Sequence, residues 1–276
     1  MFWQTTRFRI DLSGPIVMGI VNVTPDSFSD GDRAFEAGAA LARCERLLAE
    51  GAHILDIGGE STRPGAAPVS VAEELGRVLP VLAGAMKLGA PVSVDTRRPE
   101  VMQAALALGV DIVNDIAALQ APGALDVVAP AACGIVLMHM QGQPQSMQAA
   151  PGYVDVVAEV AAFLRGRLND VQRTGVDPER VVLDPGIGFG KTPEHNLALL
   201  TRQQELRALG RPLLVGWSRK STLGLLTGRG IEDRQVASVA AALAAVERGA
   251  RVVRVHDMAA TVDALAVWKA AGLGAG

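Results

Sequence analysis

Short apolar, β-branched runs recur along the chain, and each stops at a polar residue or glycine before an Ala/Leu-rich amphipathic stretch begins. The runs are IVMGIVN (16–22), HILDIGGE (53–60), VSVDT (92–96), DIVND (111–115), IVLMHM (135–140), VVLDPG (181–186), LLVGWS (213–218) and VVRVHD (252–257). Each is too short for a helix and is bounded by turn residues, so the pattern predicts eight strands. Helical periodicity fills the intervals, as in AALARCERLLAEGA, PEVMQAALALGV, VDVVAEVAAFLRGRLNDVQRTG and DRQVASVAAALAAVERGA. Several of these stretches close on glycine, at Gly51, Gly109, Gly175 and Gly249, where a left-handed C-terminal cap is favourable.

Eight strand–helix units in succession predict a (β/α)8 barrel. An open doubly wound sheet is the alternative, but its glycine-rich turn should follow the first strand, where this chain has NVTPDSFSDGD. No Ser/Pro/Gly linker divides the sequence, so residues 1–276 are expected to form one α/β domain. Barrels of this kind carry their active sites at the C-terminal ends of the strands. Here those ends present Asn22, Glu60, Asp95, Asn114, His139, Asp184, Ser218 with Lys220, and Arg254 with His256. Each alone could be an Asx turn, a helix cap or a satisfied buried side chain. Their convergence on one rim points to a site.

Composition narrows the chemistry. Hydrophobic residues make up 49% of the 276 and charged residues 20%, enough for a substantial core, and the net charge of −3 lacks the basic stripe of a nucleic-acid binder. The two cysteines, Cys44 and Cys133, have neither disulfide-framework nor zinc-ligand spacing, which suits reduced thiols in the cytoplasm. MFWQTTRFRIDLSG has no apolar signal-like run, so a soluble cytoplasmic protein is expected.

LDPGIGFGK (183–191) looks at first like a phosphate cradle. The dinucleotide fingerprint would need glycine where Lys191 stands, and the P-loop would need glycine where Pro185 stands. Both patterns fail by one residue, and the loop follows the sixth strand rather than the first.

Together MGIVNVTPDSFSDG, DIGGESTRPGA, SVDT, VNDI, LMHMQG, LDPGIGFGK, VGWSRKS and VRVHD resemble the bacterial dihydropteroate synthases, from Met18 almost to the end of the chain. The resemblance implies a (β/α)8 barrel that condenses a dihydropterin methyl pyrophosphate with para-aminobenzoate, releasing pyrophosphate, with Mg2+ as cofactor and a homodimer as the assembly. It implies that Asp95, Asn114, Asp184 and Lys220 read the pterin edge, with Met138 stacked on the rings. A carboxylate suits that edge because paired N–H donors meet it in parallel, charge-assisted bonds. Asn22 matches the magnesium contact, while Arg63, Arg254 and His256 match pyrophosphate contacts. Phe28, Thr62, Pro64, Phe189 and Ser221 would border the aminobenzoate, and Asp30 and Thr62 would lie near the reacting carbon with Lys220 and Arg254.

The chain departs from the usual pattern at Asp32, Ile187 and Trp217. Asp32 adds negative charge to a loop that must approach pyrophosphate, Ile187 should repack, and Trp217 should face the helical shell. Two other readings remain at this point, a folate-binding methyltransferase domain of the corrinoid-dependent kind and a non-catalytic pterin-binding paralogue. The methyltransferase would have no use for the arginines and histidine of STRPG and RVH.

Overall fold

The computed structural model describes residues 1–23, 33–61 and 68–273, without the side chains of 33–35. A small antiparallel hairpin, β1 (Phe2–Gln4) and β2 (Arg9–Asp11), precedes the repeating part. Then β3 (Ile16–Asn22), α1 (Arg33–Ala49), β4 (Ile54–Gly58), α2 (Val71–Ala85), β5 (Val92–Asp95) and α3 (Pro99–Ala107) follow in turn. Next come β6 (Ile112–Asp115), α4 (Ala124–Val128), β7 (Gly134–Met138), α5 (Val156–Arg173), β8 (Val181–Asp184) and α6 (Pro193–Thr201). The chain finishes with β9 (Leu213–Val215), α7 (Ser221–Thr227), α8 (Gln235–Glu247), β10 (Ala250–Val255) and α9 (Met258–Ala270). Strands β3 to β10 pair in parallel in chain order and close, β10 lying beside β3. All eight expected strands are present, and the fold is the expected barrel. Among the described residues no helix is long and apolar enough to cross a membrane.

The register explains how one barrel has an apolar foot and a polar mouth. In-register neighbours on parallel strands face the same side, and successive residues alternate. Ile16, Met18, Ile54, Ile112, Val136, Val182, Leu214 and Val252 pack together inside the barrel with Trp3 and Leu12. Two residues further along, the inward positions become Asp56, Asn114, Met138, Asp184 and Arg254. Ser93 and Asp95 follow the same alternation on β5, opposite Asp56 and Asn114. The outward set, including Val17, Leu55, Val94, Val113, Leu137, Leu183 and Val253, is buried under the helices. Both faces are therefore covered, so the strands read as continuous apolar runs with no visible alternation.

The hairpin is an addition to the expected architecture. FWQ and RID are too short and too polar to announce strands; tertiary contact makes them so. Trp3 is fully buried at the foot of the barrel, and its indole Nε1 donates to the Arg180 carbonyl at 2.8 Å. Gly134, the first residue of β7, has no side chain because a Cβ there would stand 2.8 Å from that indole nitrogen. Removing the ring would leave an apolar void at the foot, far from the polar mouth. Trp3→Ala should therefore lower unfolding free energy by about 3–5 kcal/mol in urea titrations while leaving substrate KM values near wild type.

Candidate active site

Arg254 occupies the centre of the polar mouth. Its Nε donates to Asp56 Oδ2 at 2.6 Å and its Nη2 to Asp95 Oδ2 at 2.6 Å, and Asn114 Nδ2 reaches the same Asp56 oxygen at 3.2 Å. One guanidinium thus joins β10 to β4 and β5, with β6 attached through the amide. Burial raises Asp95 to about 7, although Arg254 opposes the shift, because Asp56 adds a second nearby negative charge. Asp56 Oδ1 and Ser93 Oγ are buried and have no hydrogen-bond partner among the described residues.

Asp184 stands at the end of β8, beside Met138 in register. Its Oδ1 accepts from Gly186 N at 2.7 Å, and burial lifts its pKa to about 6 against the pull of that bond and of Lys220, Lys191 and Arg254. Lys220 is brought down to about 8, chiefly by burial, with Asp184 resisting. Its ammonium lies 4.2 Å from the centroid of the Phe189 ring, a cation–π contact.

The LDPGIGFGK loop owes its glycines to close approach. At Gly186, φ is +67° and a Cβ would fall 1.8 Å from the His139 carbonyl oxygen; at Gly188, φ is +80° and a Cβ would meet Lys220 Cδ at 3.0 Å. Lys191 fills the space beneath. Its buried ammonium donates to the carbonyls of Gly186 at 2.9 Å and Phe189 at 3.0 Å, and lies 2.9 Å from His139 Nδ1. Burial brings Lys191 to about 7, and burial with the adjacent ammonium holds His139 near 3, so that ring is neutral. Lys191 is the internal tie of the loop, a role the motif alone did not suggest.

The remaining rim residues divide. His256 Nδ1 lies 3.0 Å from Ser218 Oγ, which also accepts from the His256 backbone N–H, and Arg43 Nη2 donates to the His256 carbonyl at 2.7 Å. Arg219, between Ser218 and Lys220, has a left-handed φ of +59° and is held by Asp257 at 2.8 Å and Glu232 at 3.2 Å. That strained residue reverses the chain so that Lys220 can lead into α7. Glu60 points elsewhere, anchoring Arg97 at 3.0 Å and Arg98 at 3.1 Å. Asn22 is half-buried at the end of β3, and Ser221 is exposed as the first residue of α7.

The structure therefore gathers Asp95, Asn114, Asp184, Lys220, Met138, Phe189 and Arg254 around one mouth. Phe28, Asp30, Thr62, Arg63 and Pro64 lie outside the described residues. Asp56 was missed by reading only the last residue of each run; its signal was a carboxylate in the middle of ILDIG. Ile187 and Trp217 are both buried in the outer core, as their repacking required, and Asp32 lies outside the described residues.

A magnesium ion needs hard oxygen donors and usually keeps several waters or phosphate oxygens. Among the described residues no cluster of three His, Cys, Asp or Glu side chains could cage a metal. The amide oxygen of Asn22 suits an ion brought in with a phosphorylated substrate, and in that limited sense the residues fit.

The chain is similar to known proteins over nearly its whole length. The family model described as pterin binding enzyme matches residues 18–256. The chain is 56% identical over 278 residues to the dihydropteroate synthase of Neisseria meningitidis serogroup B, covering 98% of each, and 47% identical over 271 residues to that of Escherichia coli K12, covering 98% and 95%. The Xanthomonas albilineans dihydropteroate synthase structure with 4-aminobenzoic acid superposes with TM-score 0.91 at 53% identity, over 96% of this chain and 95% of that one. The Burkholderia cenocepacia dihydropteroate synthase complexed with 7,8-dihydropteroate gives TM-score 0.91 at 49% identity, over 99% and 97%. With its closed barrel, its carboxylate-lined mouth and this likeness over nearly its full length, the chain belongs to the dihydropteroate synthases, transferases of the pterin-binding enzyme family.

Proposed function

We propose that the barrel mouth joins the pterin methyl carbon of 6-hydroxymethyl-7,8-dihydropterin pyrophosphate to the amine of para-aminobenzoate, yielding 7,8-dihydropteroate and pyrophosphate. The observation that carries this reading is the set of Asp95, Asn114, Asp184 and Lys220 around one mouth, with Asp95 and Asn114 joined through Arg254 and Asp56 and with Asp184 and Lys220 within electrostatic reach of Arg254. A pterin's amino-pyrimidinone edge offers N–H donors for the two carboxylates and acceptors for the ammonium, with Met138 against the ring face. The methyltransferase and non-catalytic readings lose ground to the names and bound ligands of the relatives.

The bond from the pterin methyl carbon to the pyrophosphate oxygen breaks first, since the pterin can delocalise the resulting positive charge. The aminobenzoate nitrogen then attacks, and its proton is lost to the released pyrophosphate or solvent. The carboxylates of Asp95 and Asp184 lie where they stabilise positive charge on the pterin, while Lys220 and Phe189 orient the second ring. Arg254 has its Nε and Nη2 on carboxylates, so Nη1 is the nitrogen able to reach a phosphate. Arg63 and His256 would contact the same group, and Phe28, Thr62, Pro64 and Ser221 the aminobenzoate, with Asp30 near the reacting carbon. Magnesium held by Asn22 and phosphate oxygens would neutralise charge on the leaving group.

The two free, buried cysteines suit a cytoplasmic location. A homodimer is also proposed; the exposed Leu225, Leu226, Val236 and Val267 on α7, α8 and α9 give it an apolar surface to cover.

An assay of pyrophosphate release that requires both substrates tests the reaction, and turnover with either substrate alone would refute it. Chelating magnesium should abolish that turnover while leaving calorimetric binding of a pterin without pyrophosphate nearly unchanged.

Binding of the simple pterin should also depend on pH. Asp184, at about 6, and Asp95, at about 7, must both be ionised to accept the ring N–H groups, and Lys220, at about 8, must keep its proton. Affinity should therefore peak between these limits, falling as pH drops through 7 and 6 and again as it rises past 8. Asp184→Asn should weaken binding by about 1.5–3 kcal/mol and erase the lower acid step, as measured by calorimetry across pH.

A further inference from the structure

Three elements meet behind the proposed aminobenzoate slot: the loop carrying Phe189, the helix α7 that opens with Ser221, and the first turn of α6. Asn196 joins them. It is 1% exposed on the first turn of α6, a turn fixed by the Thr192 and His195 capping box. Its Oδ1 accepts from Gly188 N at 2.8 Å, and its Nδ2 donates to Thr222 Oγ1 at 3.0 Å. Gly188 immediately precedes Phe189, and Thr222 immediately follows Ser221. Thr222 is likewise 1% exposed.

We infer that Asn196 is a positioning residue that sets the width of the aminobenzoate slot, tying the loop that carries Phe189 to the helix that carries Ser221. This rests on the proposed placement of aminobenzoate between those two residues. The amide is chemically suited to the task, because one end accepts and the other donates, and it bridges a half-buried backbone N–H on the loop to a fully buried hydroxyl on the helix. The spacing is also tight on the substrate side. Lys220 lies over the Phe189 ring, and no side chain fits on Gly188 without meeting Lys220. Gln148 Nε2 holds the Gly188 carbonyl from the outer side at 2.7 Å, so the loop is gripped from both directions. A loosened Asn196 would let Phe189 and Ser221 drift apart without disturbing Asp95 or Asn114 on the opposite strands. The slot would lose its fit for a flat aromatic acid while Asp95 and Asn114 still held the pterin edge from the far side.

Steady-state kinetics with both substrates test this, alongside calorimetric pterin binding and thermal melting. Asn196→Leu should raise the aminobenzoate KM about tenfold, the effect of losing roughly one buried hydrogen bond's worth of positioning, with pterin Kd within about twofold of wild type. Thr222→Val removes only the link to α7, keeps the side-chain shape, and should raise the same KM by a smaller factor. Asn196→Asp keeps an acceptor for Gly188 N–H and can accept from the Thr222 hydroxyl, so it should restore aminobenzoate KM toward wild type. A structural role alone would lower melting temperature or active fraction and leave KM unmoved; that result in Asn196→Leu and Thr222→Val overturns the inference. Equal weakening of pterin and aminobenzoate overturns it as well. Phe189→Ala and Ser221→Ala serve as controls. If they raise aminobenzoate KM while the Asn196 and Thr222 variants do not, the slot stands and the inference alone fails. If neither control moves that KM, the placement of the slot fails and the inference goes with it.

Discussion

The Arg254 guanidinium is the charge around which the mouth of the barrel is arranged. Asp56 and Asp95 face inward on adjacent strands, and burial would make two such carboxylates costly together. Arg254 reaches both at 2.6 Å and makes the pair tolerable. Asn114 then hydrogen-bonds to Asp56, so four strands share one network. The compensation is incomplete, and Asp95 still sits well above an ordinary carboxylate. A site left this way is ready for a ligand that brings N–H donors and positive charge. Removing Arg254 would therefore disturb Asp56, Asp95 and Asn114 together.

The loop after β8 shows a different solution to a similar problem. Its backbone turns sharply enough that several carbonyls point inward, away from solvent, and Lys191 meets them with a buried ammonium. Among the described residues no carboxylate lies at bonding distance from this ammonium, an unusual situation for a lysine in a protein interior. Here carbonyl dipoles, a neutral histidine ring and the nearby Asp184 charge replace the missing salt bridge. The same cation helps keep Asp184 ionisable, so the packing of the loop and the charge at the end of β8 are electrically connected.

Much of this could be read from the chain. The eight apolar runs gave the strands because each ends sharply, and Asp95, Asn114, Asp184 and Arg254 at their ends share one mouth because strands in this fold run the same way. Glu60 instead turns to Arg97 and Arg98, and His139 packs beneath the loop. Which residues face inward was harder to see. Both faces of every strand are buried, so the period of two that separates Asp56 from Leu55 leaves no trace in hydrophobicity. The hairpin escaped for a related reason: Trp3 becomes a strand residue only because the barrel foot receives it. Lys191 and Asn196 are polar residues in a glycine-rich turn and a helix start, where exposure is the ordinary expectation. Only the folded loop shows that both are buried and what they hold.

The Trp3 plug also bears on how the chain is assembled. The indole leaves the ribosome well before its hydrogen-bond partner, which lies 177 residues later, and its neighbours in the barrel extend to Val252 on the last strand. Contacts between positions so far apart in sequence carry a large loop-closure cost and form late. The seat of that tryptophan is therefore complete only once β10 has been made and has closed against β3. A segment made before every strand of the barrel is thus fully enclosed only when the ring of strands is complete.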